Sequence, residues 1–274
     1  MSVSARYFVL FIYLKLQPTS EQGRIPKSPL LNRVGKPKNK SMINLEKFSA
    51  TTNYKIYLVN KGSSTKNFWC FLQKPEGVPT SDVYANSDAM LSVVPNYDGK
   101  NWFTIPLQYK VGAGATNQAV GLNVKIDSSV IKDAQLEQLW NAEYATAPPK
   151  QGPNLSISQG EKSPANTIGI KSNKFNQVQN ENEKWYSNMS FGIESANGFM
   201  GVTWAPSPND KSTVTPKFAF YIATGDFTSN SLADIATISN EAAKIELSSF
   251  KSLEVTVTLT EKGEWLVEPG APKA

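Results

Sequence analysis

From residue 54 onward, apolar and polar positions alternate with a period near two, the signature of half-buried β-strands. Residues 54–59 (YKIYLV) are rich in β-branched and aromatic side chains and run into the turn cluster Asn60-Lys61-Gly62-Ser63-Ser64. Residues 68–72 (FWCFL) are therefore expected to return as the second arm of a hairpin. Residues 102–109 read as a strand, and Pro106 within it has no amide hydrogen to donate, which predicts an edge strand or a bulge. Val120, Leu122, Val124 and Ile126 fall on one face of a further strand, and residues 189–193, 198–204 and 217–223 repeat the pattern. The clearest alternation is the last, where 253–260 (LEVTVTLT) turns at Glu261-Lys262-Gly263 and returns as 264–268 (EWLVE).

Helical spacing is scarce. Leu136, Leu139 and Trp140 predict a helix within 131–144, and 231–238 has room for one or two turns, with Ser231 and Asp234 in capping-box-like spacing. Residues 145–184 are polar and rich in Pro, Asn and Gln, which predicts long surface loops, and no repeat recurs at 20–50-residue spacing. The fold class expected is all-β: a single antiparallel β-sandwich over 42–274, with long polar loops and one or two short helices.

Composition narrows the chemistry. The 274 residues include no histidine and one cysteine, so Ser-His-Asp triads, Cys-His dyads and histidine metal sites are excluded, as is an intramolecular disulfide. Cys70 lies between Phe68-Trp69 and Phe71-Leu72, which predicts a buried, inert thiol. The net charge of +5 divides unevenly: residues 1–41 carry +7 and the remainder −2. The body is thus close to neutral, and nucleic acid is not an expected partner.

The apolar run 7–14 (YFVLFIYL) is too short to span a bilayer, which needs about 20 residues, so no transmembrane segment is expected. Residues 21–41 are basic and contain Pro26, Pro29 and Pro37, the composition of a disordered arm. Three readings of 1–41 stand open: an over-extended start with initiation at Met42, a targeting leader, or a functional basic tail. A cytoplasmic and a secreted location are both compatible with this.

Several motifs invite a specific chemistry. Val111-Gly112-Ala113-Gly114-Ala115-Thr116 lacks the lysine of a phosphate loop and the third glycine of a dinucleotide fingerprint, so it reads as a connection between strands. Six tryptophans invite carbohydrate stacking; Trp69 and Trp265 sit in strand patterns and are expected in the core. Trp185-Tyr186, after the polar run 180–184 (NENEK), is the better ligand platform, and the candidate binding residues are Trp185, Tyr186 and Asp226. Glu181, Glu183, Glu194, Asp210, Asp226 and Asp234 are the carboxylates from which a glycosidase pair would be drawn, although Asp226, in Thr224-Gly225-Asp226, also suits a turn. No catalytic residue, metal ligand or cofactor is assigned. Asn39, Asn154 and Asn188 begin N-x-S sequons.

Residues 218–228 (FAFYIATGDFT), then Leu232-Ala233-Asp234-Ile235, 255–259 (VTVTL) and 264–269 (EWLVEP), resemble the bacterial rhizosphere-induced proteins of the RhiA type. Residues 53–60 (NYKIYLVN) with Phe68-Trp69-Cys70 resemble that family's opening hairpin, so the resemblance spans 42–75 and 190–269. It implies a soluble, quorum-regulated protein linked to host association. It carries over no functional residues. The expected function is non-enzymatic: binding or assembly, with a glycan, a host surface or a second copy as partner. The alternatives are a lectin-like module, a carboxylate-dependent glycan hydrolase and a self-assembling or membrane-active protein.

Overall fold

The computed structural model describes residues 52–97, 99–126, 128–145 and 152–273, all within the unit Leu45–Ala274. The readings of 1–41, including the apolar run, the choice of start and the Asn39 sequon, lie outside the described residues. In chain order the strands are β1 (Asn53–Asn60), β2 (Lys66–Leu72), β3 (Val83–Ser87), β4 (Met90–Val93), β5 (Asn101–Pro106) and β6 (Tyr109–Thr116). They continue as β7 (Ser128–Ala134), β8 (Gln138–Glu143), β9 (Asn154–Lys162), β10 (Ile168–Ser172), β11 (Tyr186–Ser195) and β12 (Gly198–Trp204). The last are β13 (Lys211–Val214), β14 (Ala219–Thr224), β15 (Ser231–Ala233), β16 (Ala243–Glu246), β17 (Glu254–Leu259) and β18 (Trp265–Pro269). Two short helices, α1 (Gln177–Asn182) and α2 (Ile235–Glu241), precede β11 and β16.

The all-β expectation holds: the described residues are 53% strand and 8% helix. Four sheets share the core, with strand orders β18-β17-β1-β5, β13-β10-β8-β9, β15-β3-β12-β11-β6-β7 and β16-β14-β2-β4. Their inward faces meet because period-two alternation sends Ile56 and Leu58 of β1, Phe103 and Ile105 of β5, Phe191 and Ile193 of β11, and Val255 and Val257 of β17 to one apolar cluster. Most pairing is antiparallel, but β1 runs parallel to β17 and β8 parallel to β10.

Several expectations are corrected. β1 and β2 do not form a hairpin: β1 pairs with β5 and β17, and β2 with β4 and β14. Both strands are buried along most of their length, so each is an interior strand with partners on two sides. The helix expected in 131–144 is instead the end of β7, a turn at Glu137 in the left-handed region (φ 67°), and β8. Leu139 and Trp140 are both buried because β8 is interior to its sheet and covered on both faces, which mimics helical spacing.

The segment 145–184 contains β9, β10 and α1 rather than loops alone; β9 is an edge strand whose second half, from Gln159 to Lys162, is exposed. The glycine-rich 111–116 is not a connection but lies inside β6, in the six-stranded sheet. A Cβ on Gly112 would meet the Ser190 hydroxyl of the paired strand β11, so glycine there reflects close approach. Residues 120–126 form no strand: Asn123 takes a left-handed φ of 61°, which breaks the alternation, and Lys125 alone bridges to Ser231.

Other expectations hold. β5 is an edge strand that ends at Pro106, and β17 and β18 form the terminal hairpin. In 231–238 the helix begins later than expected. Its cap is Asp234, whose carboxylate accepts the Thr237 amide at 2.9 Å, while Ser231 belongs to β15.

Candidate functional site

Trp185 and Tyr186 line a cleft of about 370 Å³ that gathers chain from four separate places. One wall is the α1–β11 junction. Asn176 caps α1 by accepting the Gln179 amide at 3.1 Å, and the buried Asn180 donates its side-chain amide to the Ala145 carbonyl at 2.8 Å. After Lys184, left-handed at φ 57°, the Trp185 amide returns to the Asn180 carbonyl at 2.8 Å, so the indole is aimed by a closed turn rather than by a free loop. Tyr186 then opens β11, in register with Thr116 of β6.

The second wall follows β12. Trp204 ends that strand, almost fully buried, and Pro206, Ser207 and Asp210 continue along the cleft. Ser172 fixes this loop: its hydroxyl donates to the Ser207 carbonyl at 2.6 Å and accepts the Asp210 amide at 3.0 Å. Pro79, Ser81 and Asp82, the last left-handed at φ 56°, come from the approach to β3, and Ala119 and Val120 from the segment after β6.

The chemistry is mixed. Aromatic and proline surfaces stand beside three carboxylates, Asp82, Glu181 and Asp210. The Ser187 hydroxyl, at the cleft and buried, has no hydrogen-bond partner among the described residues. Glu181 is oriented from within its own helix, accepting from the Gln177 side chain at 2.7 Å. Apolar stacking surface combined with convergent acceptors and donors is what a hydroxyl-rich ligand needs.

Of the three residues singled out from sequence, the structure brings Trp185 and Tyr186 together and leaves Asp226 elsewhere. Asp226 is exposed in the turn after β14 and does not line the cleft; Gly225 beside it accepts the indole N–H of Trp69 at 3.1 Å. The carboxylates also disperse. Glu194 pairs with Lys110 at 3.1 Å and Asp234 caps α2, which leaves Glu181 and Asp210 of that set at the cleft. Asp82 was not foreseen, because nothing local in the sequence marks it; Trp204, one of the six tryptophans, reaches Trp185 only through the tertiary fold, and Ser187 follows directly on Tyr186 but was not singled out.

The remaining tryptophans are mostly structural. Trp69 is buried, Trp265 packs edge-on against Phe68 at 5.8 Å, and Trp102 covers Tyr57 on the exposed face of β5. Cys70 is buried, as expected, and burial pushes its thiol pKa far up. Among the described residues no cluster of His, Cys, Asp and Glu could hold a metal ion, and no helix is long and apolar enough to cross a membrane.

The family model for RhiA matches residues 51–270, most of the chain. The protein belongs to the RhiA family. The match begins at 51 rather than 42, fills the gap between the segments whose motifs resemble the family, 42–75 and 190–269, and takes in the whole cleft of this RhiA-family chain. No curated protein and no solved structure matches it.

Proposed function

We propose that this RhiA-family protein is a non-enzymatic binding protein whose cleft holds a saccharide unit, displayed by a glycan on a host or cell surface. One observation carries the reading: Trp185 and Tyr186 line a cleft of about 370 Å³ together with polar and acidic groups from their own segment and from two others, 79–82 and 204–210. That volume lies in the ordinary range for small-ligand sites, roughly 300–1,000 Å³. In this reading the Trp185 indole stacks on the apolar face of a sugar ring. Asp82, Glu181 and Asp210 accept from its hydroxyls, and Ser187 gains the partner it lacks among the described residues.

The test is a glycan-array screen of the chain from Met42 and of the full-length form, followed by tryptophan-emission titration with any hit. A saturable signal lost in Trp185→Ala supports the cleft, and a signal that survives Trp185→Ala places binding elsewhere. Because Glu181 and Asp210 line the same cleft, the hydrolase reading is tested alongside. Release of reducing ends that disappears in Glu181→Gln or Asp210→Asn would replace binding with hydrolysis.

A further inference from the structure

A second cavity, of about 200 Å³, lies on the other face of the six-stranded sheet's strands and shares no lining residue with the cleft. It is lined by Asn86 of β3, Ser190 of β11 and Thr203 of β12. Asp88 and Asn230 add polar groups, and Ile126, Ile131 and Phe199 make apolar walls. The sheet's alternation explains the polarity: Met189, Phe191, Met200 and Val202 turn to the core, so Ser190 and Thr203 turn away from it.

Asp88 sits at the corner where the chain leaves β3 for β4. Its Oδ1 is buried and has no hydrogen-bond partner among the described residues; the Asn230 backbone amide, which donates to the Ser87 carbonyl at 3.2 Å, also interacts with the carboxylate. The corner is clamped by Gly198, at φ 130°, on which a Cβ would stand 2.7 Å from the Asp88 carbonyl carbon. Nearby, Thr203 donates its hydroxyl to Asn86 Oδ1 at 3.0 Å, and both residues are buried. Asp88 is the one charged side chain among the described lining residues, so no described cation lines the cavity to answer it. Lys125 and Lys132 neighbour the lining residues Ile126 and Ile131 but do not line the cavity, and Asp127 lies outside the described residues.

An acceptor that is buried without a donor is costly, and a carboxylate more so. The cavity supplies further acceptors, the hydroxyl oxygens of Ser190 and Ser129, next to carbon walls that include an aromatic ring. That combination matches a compact cation on a short carbon stem. An ammonium group donates up to three hydrogen bonds and is attracted to an aromatic face. We propose that this cavity binds the primary ammonium group of a small aliphatic amine, with Asp88 as its counter-ion.

Burial pushes the Asp88 carboxyl up to about 6, partly offset by the Asn230 amide, so the counter-ion is present at pH 8 and mostly protonated at pH 5. A small primary amine stays charged across that interval.

The experiment is an NMR titration of the full chain with ethanolamine, following the Asn230 backbone amide and the Asn86 side-chain amide. Saturable shifts are expected at pH 8, about tenfold weaker binding at pH 5 as Asp88 protonates, and loss of binding in Asp88→Asn. Ethylene glycol, similar in size but uncharged, is expected to give no saturable shift. An equal response to ethylene glycol, binding retained in Asp88→Asn, or no saturable shift at all would overturn the proposal; the last would mean that water alone fills the cavity. Should Asp88→Asn not fold, the pH series on the unaltered chain decides, and affinity unchanged between pH 8 and pH 5 overturns the assignment.

Discussion

The Tyr144 hydroxyl donates to the carbonyl oxygen of Asn188 at 2.6 Å, joining the chain just after β8 to β11 at a point closed to water. The Tyr144 ring also packs on Phe175, 5.2 Å between centroids, and Phe175 lines the cleft. Tyr144→Phe keeps the ring and removes the bond. It is expected to destabilise the protein by about 1–2 kcal/mol, the cost of unpairing a buried hydrogen bond, as read by urea unfolding at constant m-value. A change indistinguishable from zero would mean that the bond is not formed in solution.

Two aspartates give stability opposite pH dependences. Burial raises the Asp88 pKa in the folded protein from 3.8 to about 6, so between those values the native state binds more protons than the unfolded chain. Stability from this group is full below pH 3.8 and falls as pH rises through 6. Asp88→Asn removes that loss and is expected to raise stability at pH 8 by up to about 2 kcal/mol, discounted for partial exposure. Asp234 runs the other way. Hydrogen bonds from Thr237 lower its pKa, so its contribution is present above pH 3.8 and lost as pH falls below that value. Asp234→Ala is expected to cost about 1 kcal/mol at pH 7. Chemical denaturation of both variants at pH 4, 6 and 8 checks the signs.

Cys70 is expected to be unreactive in the native protein. It is about 1% exposed, and burial keeps its thiol protonated. A chromogenic disulfide reagent should label it only after denaturant is added. Rapid labelling of folded protein would show that β2 opens locally.

The two described sequons differ in accessibility. Asn154 begins the edge strand β9 and is exposed, whereas Asn188 is buried within β11. Expressed through a glycosylating secretory pathway, folded protein is expected to carry glycan at Asn154 and none at Asn188, since a chain modified there cannot close its core. Site-resolved mass spectrometry of the folded fraction reads this directly.

Period-two alternation located eight of the eighteen described strands, most clearly where one face is exposed and the other buried, as β17 shows with Val255, Val257 and Leu259 turned inward. It did not reveal their partners. Pairing depends on the tertiary fold, so β2 looked like the natural mate of β1 although the actual neighbours are β5 and β17. Where both faces are buried, alternation vanishes, and β8 then resembled a helix through Leu139 and Trp140. The cleft was half legible for a related reason. Trp185 and Tyr186 stand out after a polar run, but Asp82 and Trp204 reach them only across the fold. Asp88 carries no local signal at all, since its character comes from burial against Gly198 and Asn230.

The parallel pairing of β1 with β17 bears on how the protein is made. Lys55 lies in register with Glu254, and Asn60 with Leu259, so the first described strand waits for one of the last. On a ribosome, adding about 5–20 residues each second, β1 emerges at least several seconds before its partner exists. Its apolar face must meanwhile stay unpaired or be shielded by a chaperone. A chain terminated before residue 254 would lack that partner altogether, and the exposed edge of β1 would make such a fragment a substrate for proteolysis or aggregation rather than a working shorter form.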